Sequence, residues 1–206
     1  MTAPAPRRTQ KQRRDEAEDR MLAAAARLVG RVGLSGLTLA LVGEEAGYSR
    51  GLPNHHFGSR EVLVGKLVDR ITSGFERRMT RKLPASSRPG LAALRVIAAT
   101  YLADVWADPV RGRALMAMIN EGLTSADVGE SIRAVNARSI AFIAEHVRAA
   151  QAAGDVADHG DADAIAATIL AALRGASQLM LFADAARAAV LRETCVELLI
   201  GGLAAR

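Results

Sequence analysis

Aromatic side chains are scarce in this chain of 206 residues: one Trp, two Tyr and four Phe, 3% of the total. So small a stock argues against a large aromatic-lined cavity of the kind that sorts many flat ligands. Cysteine is scarcer still. Cys195 stands alone, which excludes an intrachain disulfide and any site built on a cysteine pair. It falls in a helical apolar stripe without a cationic cluster around it, so it reads as a small hydrophobe rather than a redox sensor. Long apolar runs are missing too. The longest charge-free apolar stretch, Ala164 to Leu173, is far short of the ~20 residues that cross a bilayer. The first residues lack the apolar core of a secretory signal, so a cytoplasmic location and no membrane partner are expected. Alternation of Val, Ile and Thr, the mark of strands, is absent, and no internal repeat is visible.

Parts of an enzyme are equally hard to find. There is no Gly-rich phosphate loop and no Gly-x-Ser-x-Gly elbow. Adjacent His55 and His56 point different ways on a helix and cannot chelate one metal together. An acidic turn holds Asp155, Asp158, His159, Asp161 and Asp163, but it lacks the spacing and the distant Glu of a calcium loop. Asp161 or Asp163 more simply caps the helix that follows. Neither catalysis, a metal nor a cofactor is expected.

What is present is helix. Half the residues are apolar, enough for a real core, and the length allows a small domain plus a larger one. The most informative stretch is Thr38 to Phe57, TLALVGEEAGYSRGLPNHHF. Thr38 suits an N-cap, and Leu39, Val42, Gly43 and Ala46 then recur at helical spacing on one face. Gly43 and Ala46 are small enough for a second helix to cross closely. Gly47 can end the first helix in the left-handed conformation. Ser49 offers a second N-cap for a short helix from about Arg50 to His56, with Pro53 and Phe57 inward. Arg50 with Asn54, and Gly51 with His55, form outward rows that carry no acid and suit a DNA major groove.

Pro53 belongs in the first turn of a helix, so this second helix is expected to start late or open with a tighter turn. Upstream, Met21, Leu22, Ala25, Leu28, Val29 and Val32 mark a first helix ended by Gly33. Downstream, Ser59 caps a helix whose face runs Val64, Leu67, Val68, Ile71, Phe75 and Met79. Further helices are expected at about Leu91–Trp106, Pro109–Glu121, Ala126–Ala153, Ala162–Ala183 and Ala186–Leu203. Pro84 and Pro89 place a domain boundary between them and the first group.

Charge is uneven. The net charge of +5 is matched by Arg7, Arg8, Lys11, Arg13 and Arg14 alone, because residues 1–14 hold no acid. With Pro4 and Pro6 this segment reads as a disordered basic arm that either follows phosphates or a minor groove, or simply aids solubility. Residues 15–82 then form a three-helix helix-turn-helix domain with the start of a long fourth helix, and 83–206 a second helical domain. The chain is all-α with about nine helices.

These residues resemble the N-terminal domain of the TetR family of bacterial one-component regulators. The likeness runs from about Asp19 to Leu67: the helix MLAAAARLVGRVG, the segment LTLALVGEEAGYSRG and then HHFGSREVLVGKLV. The family's Ala-Gly-apolar-Ser turn is matched by Ala46, Gly47, Tyr48 and Ser49. Its Phe and Ser-basic-Glu opening to the fourth helix are matched by Phe57, Ser59, Arg60 and Glu61. Pro53, Asn54 and His55 depart from the pattern.

The resemblance implies a dimeric regulator, most often a repressor, that binds double-stranded operator DNA and is released by a small-molecule effector. Arg50 would read a base edge, Leu52 a thymine methyl, and Asn54 and His55 bases or phosphates, beside Gly51. Thr38, Ser49, His56 and Arg60 would hold phosphates, while Tyr48 packs the turn or reaches the backbone. A ligand pocket would draw on Tyr101, Trp106, Met116, Met118, Ile119, Phe142, His146, Met180 and Phe182, although each also suits plain core packing. The last two helices are rich in small or apolar residues, and Ala167, Ala171, Gly175, Leu191, Cys195, Leu198 and Leu199 would form the homodimer interface. The alternatives are a helix buried inside a monomer, and a module of the same fold that has lost specific DNA binding.

Overall fold

The computed structural model describes residues 9–83, 89–156 and 160–204, and among them every regular element is helical. Nine α-helices follow in order: α1 Gln10–Val32, α2 Leu39–Glu45, α3 Leu52–Phe57, α4 Arg60–Lys82, α5 Leu91–Ala107, α6 Pro109–Glu121, α7 Ala126–Ala152, α8 Ala162–Met180 and α9 Ala185–Val196. A π-helical turn, Glu197–Gly201, extends α9. None of these helices is long and apolar enough to cross a membrane.

Local chemistry sets the boundaries. The Thr38, Ser59, Asp108, Asp161 and Asp184 side chains each accept a hydrogen bond from a first-turn backbone N–H of the helix they precede. Asp161 thus serves as the cap expected of the acidic turn, whose residues 157–159 lie outside the described residues. Gly33 ends α1 at φ +74°, and Gly47 follows α2 at φ +76°, values an L side chain resists.

One boundary corrects the sequence reading. Thr9 and Gln12 form a reciprocal capping box, so α1 opens at Gln10 and already includes Lys11, Arg13 and Arg14. The arm can therefore extend no further than residues 1–8, which lie outside the described residues.

Two apolar cores result. The first gathers Met21, Leu28, Leu37, Val42, Phe57, Leu63 and Leu67 from α1–α4 and their loops. It does not stop at the expected boundary near residue 83: Ala114 and Met118 of α6 and Val128, Ile132 and Val135 of α7 complete it. The second core joins Met79, Leu94, Leu102, Ile143, Val147, Leu170, Leu173 and Ile200. Helices α4 and α7 contribute to both, so the two halves share walls. The side chain of Phe75 lies outside the described residues.

Candidate DNA interface and ligand cavity

The helix-turn-helix is held by a close approach at Gly43. A Cβ built there would lie 2.5 Å from the Ser49 carbonyl oxygen and 3.2 Å from both Arg50 Cα and Pro53 Cδ. Only glycine lets the turn lie so near α2. The Tyr48 amide closes the turn on the Gly43 carbonyl at 2.8 Å. Arg20 stacks over the Tyr48 ring, 4.9 Å from its centroid, so Tyr48 packs the turn.

Pro53 acts as expected. Helix α3 begins only at Leu52, behind a tight turn in which the Leu52 amide meets the Ser49 carbonyl at 3.2 Å. Ser49 is consequently not the N-cap of this helix; Gly51 occupies that position without a side-chain hydrogen bond. Arg50 lies in the turn rather than in the helix.

The expected DNA-facing set divides by exposure. Thr38 before α2, Ser49, Arg50 and Gly51 in the turn, and Asn54 and His55 on α3 are exposed. Arg50 forms an exposed ion pair with Glu44 of α2. Leu52 is half-buried against the first core. Two residues expected at phosphates are engaged elsewhere. His56 points inward, its side chain only 7% exposed, and its Nε2 pairs with a Glu18 carboxylate oxygen at 2.7 Å. Arg60 donates to the Leu37 and Leu34 carbonyls at 3.2 and 2.6 Å, tying α4 to the loop before α2. Both depend on partners 23 or more residues away, which helical spacing does not reveal. Glu18 also takes Lys66 Nζ at 2.6 Å. Burial raises its carboxyl pKa, but the hydrogen bonds and charges of Lys66 and His56 outweigh that and hold it below the ordinary value.

A cavity of about 370 Å³ lies among α4–α8. Of the nine residues expected to line a pocket, Tyr101 and Phe142 do so. The other seven are placed differently. Met118 is fully buried in the first core, with Ile119 packed on it, and Met116 is half-buried on the same helix. Met180 is buried in the second core and Trp106 packs against that core. His146 is buried behind Phe142, ring edge to ring face, and does not reach the cavity. Burial lowers its pKa, against an opposing pull from the Glu145 charge. Phe182 is 87% exposed at the end of α8.

The missed residues are the polar ones. Thr72 and Arg78 of α4, Asp104 of α5, Arg111 of α6, Arg138 and Ser139 of α7 and Arg174 of α8 all reach the cavity. Asp104 and Arg174 left a visible signal, each one of only two charges in a mostly apolar helix. Burial raises the Tyr101 hydroxyl pKa, and Arg174 beside it pulls the other way.

On the outer side of α8, Ala171 and Gly175 are exposed and Ala167 is half-buried; on α9, Leu191 and Cys195 are half-buried. Leu198 of the π-helical turn is 72% exposed, Leu199 half-buried. Leu179 and Val190 extend the exposed apolar face. Burial raises the Cys195 thiol pKa, which keeps it protonated.

A helix-turn-helix set on a larger helical body with an internal cavity defines a fold class, the all-α helix-turn-helix proteins. The comparisons narrow it. Residues 21–67 match the profile of bacterial regulatory proteins, tetR family. It is 31% identical over 71 residues to the HTH-type transcriptional regulator BetI of Vibrio atlanticus, a match spanning 34% of this chain and 36% of that one. Against BetI of Burkholderia mallei it is 30% identical over 84 residues, 41% and 43% of the two chains. The matched segment therefore spans less than half the length of these relatives. The fold extends further. A TetR-family regulator from Rhodococcus sp. superposes with a TM-score of 0.80 at 21% identity, covering 93% of this chain and all of the other. A transcriptional regulator from Saccharomonospora viridis, solved in complex with choline, gives 0.77 at 19%, with 93% and 100% covered.

Proposed function

We propose that this protein is a ligand-responsive transcriptional regulator, a cytoplasmic repressor that binds a palindromic operator as a homodimer and leaves it when a small molecule enters the cavity. The observation that carries the reading is the double role of α4. Leu63, Val64, Leu67 and Val68 pack it into the core of the helix-turn-helix, while Ile71, Thr72, Arg78 and Met79 line the cavity. One helix thus belongs to both sites. The choline bound to the S. viridis regulator supports a small-molecule role for this fold.

Residues 15–82 act as the DNA-binding unit and 83–206 as the ligand-binding and dimerisation unit. Arg50 reads a base edge, Asn54 and His55 contact bases or phosphates, and Thr38 and Ser49 hold the backbone. Release of Arg50 from Glu44 is cheap, since an exposed ion pair is worth about 0–1 kcal/mol and a bidentate base contact about 1–3. The exposed stripe of α8 and α9 supplies the dimer face, which sets two recognition helices about 34 Å apart for two half-sites. No catalytic role is assigned.

A second reading has its own support. With α3 reduced to six residues, and His56 and Arg60 held by internal partners, fewer groups remain for DNA. The protein would then be a ligand-binding module of the same fold. Selection of bound fragments from a random duplex library at near-physiological salt decides between them. An enriched palindrome, with affinity falling at a log–log salt slope of about −0.9 per neutralised phosphate, is expected. No enrichment from folded, dimeric, ligand-free protein would favour the second reading.

A further inference from the structure

The polar groups of the cavity are not balanced. Among the described residues, four arginines, Arg78, Arg111, Arg138 and Arg174, reach it against one aspartate. Asp104 is already shared: its Oδ2 accepts Arg78 Nε at 2.5 Å and lies 3.4 Å from Arg111 Nη2. Asp108 lies 3.5 Å from Arg111, and Asp69 lies 3.8 Å from Arg138 at the surface. Among the described residues no such acid stands against Arg174. Its Nη2 donates to the neutral Asn136 Oδ1 at 2.6 Å, and its Nε is buried with no hydrogen-bond acceptor. Arg78 Nη2 is buried and unpaired in the same way. A guanidinium held at an apolar wall without a carboxylate is costly, and an anion arriving there recovers that cost.

The rest of the wall is hydrocarbon, with Ile97, Val135, Phe142, Leu170 and Leu173. We infer that the cavity takes an amphiphilic carboxylate, its head on Arg174 and its apolar body along these five side chains. The inference rests on the proposal that the cavity is the ligand site. Arginine suits the head because its fork can meet both oxygens of a carboxylate. The same wall disfavours a quaternary ammonium such as choline, which would bring a like charge to the unpaired guanidinium.

Direct titration calorimetry on the full chain without DNA tests it, using octanoate, 1-octanol and octyltrimethylammonium as probes of matched length. Octanoate is expected to bind about tenfold or more tighter than octanol, the worth of a hydrogen bond to a charged group, and the ammonium weakest. Arg174→Gln should bring octanoate down to the level of octanol, and Arg174→Lys should keep part of the preference. If Arg174→Gln proves unfolded by circular dichroism, Arg174→Met, which keeps the packing of the stem and lacks the charge, takes its place. Octanol or the ammonium binding as tightly as octanoate, or an anion preference that survives the glutamine variant, overturns the inference and leaves the ligand site standing. Saturable binding by none of the three overturns both.

Discussion

Replacing Gly43 by alanine isolates the contact on which the helix-turn-helix depends. The new Cβ would sit 2.5 Å from the Ser49 carbonyl oxygen, and ordinary contact begins near 3.4 Å. None of the three nearest atoms can swing aside. Two belong to backbone, and the third is in the ring of Pro53, itself buried in the first turn of α3. The turn must therefore move off α2 as a unit, against the 2.8 Å hydrogen bond from Tyr48 to Gly43. Overpacking of this kind costs about 1–3 kcal/mol, and rigid backbone neighbours put it at the upper end. Alanine returns about 1 kcal/mol because it favours helix over glycine, which leaves a net loss of about 2 kcal/mol. For a chain of this size that lowers the melting temperature by about 4–8 °C.

Gly65→Ala on α4 is the control. Its nearest neighbour is Ser131 Oγ at 3.7 Å, an ordinary contact, so only the helical gain remains and melting should rise by about 2–4 °C. Both variants are to be melted by calorimetry at one protein concentration, because association would make the midpoint concentration-dependent. If Gly43→Ala melts at or above the parent, or shifts with Gly65→Ala, the close approach is not what the geometry states.

Three further outcomes are expected. Glu18 has a depressed carboxyl pKa in the folded protein, so its contribution to stability is complete above the unfolded value near 4.5 and is lost as pH falls through the folded one. Glu18→Gln should accordingly cost about 1 kcal/mol at pH 7 and flatten the acid limb of a stability–pH curve, and an unchanged limb refutes the role assigned to its pairs with Lys66 and His56. Ala171→Asp places a charge on the exposed face of α8 and should yield monomers in sedimentation equilibrium, while a surviving dimer moves the interface elsewhere. Arg50→Ala should weaken operator binding by about 1–3 kcal/mol and relax the choice of base at one position, as read by competition with single-substituted duplexes at matched salt. Equal discrimination by variant and parent removes Arg50 from base reading.

What could be read in the sequence was local. Thr38, Gly47 and Ser59 signal helix ends through their own backbone chemistry, and α6 begins and ends where Pro109 and the apolar pattern put it. Gly43 also showed as a small residue on an inward face. The cavity was not legible, because its polar wall comes from five helices, α4 to α8, and no spacing along one helix brings Arg78, Asp104 and Arg174 together. Aromatic and Met residues at helical spacing pointed instead to core positions such as Met118 and Met180. The same limit hid the inward turn of His56. Its ring follows a glutamate 38 residues earlier on α1, and an outward row drawn on α3 alone has no term for that pull. The shared core lay beyond sequence spacing for the same reason, since α6 and α7 return to pack on α1 and α4 only in three dimensions.

The geometry of α4 limits how a ligand in the cavity could act on DNA. At 1.5 Å per residue its 23 residues span about 34 Å, and no proline interrupts it, so it moves as a rod. A ligand touching Arg78 and Met79 works on one end, and the carbonyls held by Arg60 are moved by the other. Under the proposed function, a tilt at the cavity would be delivered in this way to the loop that precedes α2, and through Gly43 to Arg50. Displacement alone is not regulation, however. A ligand that fits both arrangements of α4 equally well shifts nothing, and to carry a population from mostly bound to mostly released it must favour one arrangement by about 10⁴-fold. Arg78 gives α4 a means to that difference, because its guanidinium is already committed to Asp104 through one nitrogen and unpaired at another. Under the proposed function, a carboxylate seated on Arg174 that also reached Arg78 would compete with Asp104, and it would select the tilt of α4 that favours the new partner over the old one.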